Sequence, residues 1–222
     1  MDKLLAAIAG DDRAAVKKLL RIDRGLARAT IKKAKLFRAG VLHWIYAGDT
    51  ALHLAAAGHR VQIIGQLLTA GADPNAALNH RRGRPLHYAA DGYVNGPVWD
   101  EKLQVRAIRR LLDAGAEIDA QDKNGATALH RAVRTRCAAA VHCLLEAGCD
   151  PALRNYSGST AFHLAVQDTG RGGAGSAVAR NGQRKIIAEF LSRGIRRKLR
   201  DGKGKSVVDC ARSDWIRELV AG

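Results

Sequence analysis

The stretch that decides the fold is "DTALHLAA" at residues 49–56, because it returns three more times. "GRPLHYAA" stands at 83–90, "ATALHRAV" at 126–133 and "STAFHLAV" at 159–166. Each is followed by an apolar pair and a leucine-rich helix end: "IIGQLLTAGADPNA" (63–76), "AIRRLLDAGAEIDA" (107–120), "AVHCLLEAGCDPAL" (140–153) and "IIAEFLSRG" (186–194). Thr50 to Asn75 and Thr127 to Ala152 both cover twenty-five steps, so the two uninterrupted units share one register. Self-similarity at a fixed period is the mark of a repeat architecture.

Local physics agrees with helix pairs. In "TALHLAAA" and "VQIIGQLL" apolar residues recur three and four apart, which places them on one buried stripe. Thr50, Thr127 and Thr160 stand where an N-capping oxygen is wanted. Gly71, Gly115, Gly148 and Gly194 follow the second helices, where a left-handed residue closes them cheaply. The Asp-Pro of "ADPN" and "CDPA" turns the chain into an extended finger. One helix pair cannot bury its own face, so neighbours stack into one elongated core.

The recurrence of T-x-L-H-x-A, a second helix and G-A-D resembles the ankyrin repeat family, from about Leu4 to the C-terminus. The resemblance implies an all-α solenoid of stacked helix pairs with extended β-hairpin-like fingers, in a single domain over residues 1–222. A capping unit is expected at 1–43, repeats at 44–78, 79–122, 123–155 and 156–200, and a second cap at 201–222. It also implies that His53, His87, His130 and His163 hydrogen-bond the finger backbone of adjoining repeats. Successive histidines would then lie about 10 Å apart, the spacing of packed helices and too wide for one metal ion.

Two segments interrupt the register, at about 91–102 and 169–182. The second contains Gly170, Gly172 and Gly175, a G-x-G-x-x-G spacing. A dinucleotide fold needs a strand before such glycines, and here a repeat helix precedes them, so no nucleotide is expected. Both insertions leave the edge opposite the fingers, and they pack on each other or on the intervening turn "RTRC" (134–137). Trp99 and Tyr93 are packing residues there, or exposed anchors for a partner.

No nucleophile, base and orienting group stand together in the pattern, so neither a catalytic site nor a cofactor or metal is expected. The four cysteines form no C-x-x-C pair and read as reduced thiols of a cytoplasmic protein. The apolar run "LLAAIAG" is too short to span a membrane and reads as the start of a helix.

Charge is the distinctive feature. The chain holds 37 Lys and Arg against 21 Asp and Glu, a net of +16. Residues 1–48 carry eleven basic and four acidic side chains, and residues 193–205 seven and one. Such a surface solvates the protein or meets an acidic partner. The expected contacts are Trp44, Tyr46, Arg81, Arg82, Arg84, Lys123, Arg131, Arg134 and Tyr156, on the fingers and inner helices. A monomeric protein-binding module is the first expectation and nucleic-acid binding through the basic ends the alternative. Two irregularities stand out. The connection at 27–48 is longer, more aromatic and more basic than a regular finger, and "NHRRGRPLH" reads as one residue short with Arg84 in the threonine position.

Overall fold

The computed structural model describes residues 1–37, 40–92, 94, 96–168 and 175–221. Tyr93, Gly170 and Gly172 lie outside them. The described residues form six helix pairs: α1 (Asp2–Ala9) with α2 (Arg13–Ile22), α3 (Ala51–Ala57) with α4 (Val61–Thr69), and α5 (Pro85–Ala90) with α6 (Glu101–Asp113). Next come α7 (Ala128–Arg134) with α8 (Ala138–Glu146), α9 (Ala161–Ala165) with α10 (Ala177–Ser192), and α11 (Val207–Cys210) with α12 (Asp214–Ala221). The first, inner helices pack on one another in chain order, and so do the second, outer helices. This is the all-α solenoid that the repeats predict.

The reason is local. Every residue of α3 is buried, while α4 buries Ile63, Ile64 and Leu67 and exposes Gln62 and Thr69. Burying each large aliphatic side chain contributes about 1.5–3 kcal/mol. Gly71, Gly115, Gly148 and Gly194 close the outer helices in the left-handed region. Each regular finger is then folded by one side chain: Asp122 accepts from the N–H groups of Asn124 (2.8 Å) and Ala126 (3.0 Å). Gly125 completes that turn at φ +72, and a Cβ there would meet the Tyr156 nitrogen at 2.7 Å.

The finger "NHRRGRPLH" is not one residue short. Asn79 stands eight residues before His87, as Asp122 stands before His130, and it accepts from Arg81 and Gly83 in the same way. The glycine comes one place late, so Arg82 takes the left-handed position at φ +50.

The irregular first finger contains a hairpin. Strands β1 (Lys35–Phe37) and β2 (His43–Ile45) pair antiparallel with Leu36 opposite Trp44. The expected repeat boundary at 43/44 falls inside β2. The hairpin buries Phe37, Val41 and Ile45, and β2 packs on α3. Arg60 ties its far end down by donating to Gly40 O (2.7 Å) and to Ala9 O (3.1 Å).

Described residues of both insertions lie against the intervening turn at 134–137. Gly92 N–H donates to Thr135 Oγ1 (3.4 Å), and Gly182 is so close to Arg136 that a Cβ would fall 2.5 Å from its carbonyl oxygen. The insertions pull apart the tight turn whose N–H groups close a regular inner helix, and one glutamine in each repeat replaces them. Gln104 donates to Ala89 O and Ala90 O (3.1 and 3.2 Å), and Gln183 to Ala165 O and Gln167 O (2.7 and 2.8 Å). Trp99 is half-buried and donates from its indole nitrogen to Gln104 Oε1 (3.1 Å), so it packs. The later part of the second insertion, from Ala177, is helical and lengthens α10.

Candidate binding surface

The repeated histidines are internal struts. The backbone N–H of Thr50 donates to His53 Nδ1 (3.0 Å), which leaves the ring proton on Nε2 to donate to Gly83 O in the next finger (3.1 Å). His87 Nε2 reaches Ala126 O (2.9 Å), His130 reaches Ser159 O (3.1 Å) and His163 reaches Lys205 O (3.1 Å). His59 adds a strut at the other end of the inner helices by donating to Ala89 O (3.0 Å). Burial pushes His59 and His87 down to about 4 and lowers His53 and His130, so these rings stay neutral at pH 7.

Those struts hold the finger tips edge to edge. Lys123 N–H donates to Arg81 O (2.8 Å), Tyr156 N–H to Asn124 O (2.9 Å) and Gly202 N–H to Gly158 O (3.0 Å). The ladder brings Arg81, Lys123 and Tyr156 into one row. Tyr46 joins its first end, with the Arg81 guanidinium 4.4 Å from its ring centre and His80 edge-on at 5.1 Å. Tyr156 is 71% exposed. Among the described residues Arg81, Arg82 and Lys123 make no ion pair.

Trp44 stands apart from that row, on the outward face of the hairpin and 48% exposed. Arg84 turns back into the molecule, to Glu117 (2.6 Å) and Asn75 (3.3 Å). Arg131 differs most from its expected role as a contact. Its side chain is buried and bonded to Asp91 (2.9 Å) and Asp122 (2.6 Å), so it ties the first insertion to a finger. Arg134 is exposed and meets Asp91 at 3.4 Å. Burial works to raise the Asp91 pKa, but the adjacent His43, Arg131 and Arg134 hold it at about 2. Asp91, Gln104 and Gln183 carry no repeat-wide motif. The one sequence signal was a glutamine three residues before the apolar pair in both interrupted repeats.

The hairpin narrows the inner-helix face. His43 lies 3.6 Å from Asp91 and packs on Tyr88 of α5 with the ring centres 5.1 Å apart and the planes tilted by 45°, so the hairpin covers the face over α3 and α5. Between the hairpin and the first insertion a cleft of about 250 Å³ remains, lined by Leu42, Trp99, Arg134 and Thr135 among others. At the C-terminal basic stretch, Arg193 pairs with Glu189 (2.6 Å) and Glu146, and Arg200 donates to Gly204 O (2.6 Å). Among the described residues no group of His, Cys, Asp and Glu is placed to hold a metal ion. No described helix is long and apolar enough to cross a membrane. The four cysteines are unpaired, and burial raises the Cys137 and Cys149 thiols to about 11 and about 12.

Stacked helix pairs, histidine struts and a hydrogen-bonded row of fingers define a repeat solenoid. The chain belongs to the ankyrin repeat family: the model described as "Ankyrin repeats (3 copies)" matches residues 101–201, and that described as "Ankyrin repeat" matches residues 47–79. It is 32% identical over 93 residues to ankyrin repeat and SOCS box protein 6 of Mus musculus, a match covering 42% of this chain and 20% of that protein. It is 39% identical over 72 residues to the neurogenic locus Notch protein of Drosophila melanogaster, covering 32% of this chain and 2% of that one. The matches thus span a fifth or less of these relatives. The crystal structure of an ankyrin repeat domain from Acinetobacter baumannii AYE superimposes with a TM-score of 0.67 at 24% identity, over 98% of this chain and 95% of that one. Ankyrin repeats are generally protein–protein interaction modules and typically non-catalytic.

Proposed function

We propose that this protein is a non-enzymatic, monomeric protein-binding module of the cytoplasm that takes an acidic partner on its finger-tip row and on the open part of the concave face. The observation that carries this reading is the row itself, where unpaired Arg81, Arg82 and Lys123 stand between Tyr46 and Tyr156. Aromatic anchors flanked by cations suit an acidic segment, because the rings supply buried area and the charges supply orientation. Arg134 beside the hairpin cleft extends the same sign of charge inward. Trp44 offers a further anchor on the hairpin.

Affinity capture on the immobilised full chain, at physiological salt with and without nuclease, tests this reading. A defined protein that survives nuclease and is lost on Tyr156→Ala or Lys123→Glu, but not on Arg200→Gln, supports the finger-tip surface. Material that vanishes with nuclease, and whose affinity falls steeply with salt, transfers the function to nucleic acid and the basic ends.

A further inference from the structure

The convex side of the stack carries a second cationic surface, remote from the finger tips. Outer helix α4, "VQIIGQLLT", has no charged side chain, and its neighbours α2 and α6 supply cations on both sides. Lys17, Arg21 and Arg24 of the α2 region and Arg110 of α6 wall an open groove of about 620 Å³, with Gly65 and Ala70 in its floor. Among the described residues none of these four cations has a carboxylate within ion-pair distance. Arg24 is held at one end by donating to Thr69 O (3.0 Å).

The fold contains its own comparison. The equivalent groove between α6, α8 and α10 is lined by Glu101 and Glu189 as well as Arg109, His142 and Lys185, and His142 and Glu189 pair across it at 2.9 Å. The position of Gly65 in α4 is taken in α8 by His142, two residues after the corresponding apolar pair begins. Glycine inside a helix is unfavourable, so its presence asks for a reason of space. A Cβ at Gly65 would come 2.8 Å from Arg110 Nη2, so the bare backbone lets that guanidinium lie over the floor. The two grooves are of similar size, about 620 and about 590 Å³, but the charged side chains of one are all cations, whereas its counterpart carries both signs.

We propose that this groove docks an extended acidic peptide segment of a protein partner, independently of the finger-tip surface. From Lys17 to Arg21, one turn of α2, the helical rise is about 6 Å, the length of about two residues of extended chain, and Arg24 continues the row beyond the helix end. The exposed side-chain amide of Gln62 lines the same groove and suits peptide N–H and C=O groups, while Gln66 is tied to Arg13 O (3.2 Å). No aromatic side chain lines it, so it offers no stacking platform for bases.

The test uses the full chain and a fluorescein-labelled, end-blocked hexaglutamate, read by anisotropy at physiological salt, with hexaserine as reference. Arg21→Gln with Arg110→Gln weakens hexaglutamate about tenfold. Arg109→Gln with Lys185→Gln, an equal change of net charge in the mixed groove, weakens it by less than about twofold. Gly65→Leu fills the floor without altering any charge and also weakens binding, and it serves if the double variant does not fold. The same losses persist in a Tyr156→Ala, Lys123→Glu background that disables the finger-tip row, so failure here is separable from failure of the finger-tip reading. Equal losses from the two double variants, binding no tighter than that of hexaserine, or an oligothymidylate that competes more tightly for the groove would each overturn the proposal.

Discussion

Lowering the pH from about 7 to about 5 should destabilise this protein through its histidines. His59 and His87 have pKa values near 4 in the fold, because burial disfavours the charged ring, and burial lowers His53 and His130 as well. Nδ1 of His53, His87 and His130 accepts the backbone N–H of Thr50, Arg84 and Thr127, which only a neutral ring can do, and at His59 burial alone disfavours the charge. The folded value lies below the unfolded value of 6.5, so the unfolded chain binds more protons in this window. The contribution is therefore fully present above pH 6.5 and is lost as pH falls towards 4. One such histidine removes about 2 kcal/mol between pH 7 and pH 5, and His59 with His87 about 4 kcal/mol. For a chain of this size that is a fall in Tm of roughly 8–16 °C. Asp91, held at about 2, titrates below this window. The assay is thermal unfolding by far-UV circular dichroism at both pH values and constant ionic strength. His59→Asn, which tolerates the left-handed backbone at φ +51, should remove about 2 kcal/mol of the pH dependence. High salt should leave the slope in place, because burial rather than net repulsion causes it. A Tm that stays level from pH 7 to pH 5 would refute the reasoning.

Two further outcomes follow from buried polar groups. Arg131→Met leaves Asp91 and Asp122 without their shared cation and should cost about 3–5 kcal/mol in urea unfolding; a loss below about 1 kcal/mol would show that water replaces the guanidinium. Gln104→Ala strands the Ala90 carbonyl and the Trp99 indole and leaves Ala89 O to His59 alone, and should cost about 1–3 kcal/mol. Gln104→Glu does not rescue it, because a carboxylate cannot donate to those oxygens, and recovery in that variant would contradict the assigned bonds.

Most of the scaffold was legible because its signals are short-range. Thr127 and His130 lie three residues apart, and their capping contact forms within one turn. The same holds for Asp122 with Gly125 and for the paired apolar residues of each outer helix. Repetition then multiplied a weak local signal. The irregular places were harder to read. Arg82 in the glycine position made a full-length finger look one residue short. The hairpin at 35–45 gave no sign of which way it folds, since that depends on Val41 meeting Gly58 and on Arg60 reaching Gly40.

The residues expected as contacts divide in the same way. Their placement on fingers and inner helices was fixed by register, but exposure was not. Arg131 and Arg134 lie three residues apart in one helix, yet Arg131 is locked between two carboxylates and Arg134 is open. The difference comes from Asp91, which stands 40 residues before Arg131 and belongs to an insertion with no pattern of its own. By itself the sequence determined a stack of six helix pairs with a basic surface, because each pair is specified within its own repeat. Only the tertiary structure decided which cations remain unpaired and which inner helices the hairpin covers, because both depend on contacts between repeats that no single repeat encodes.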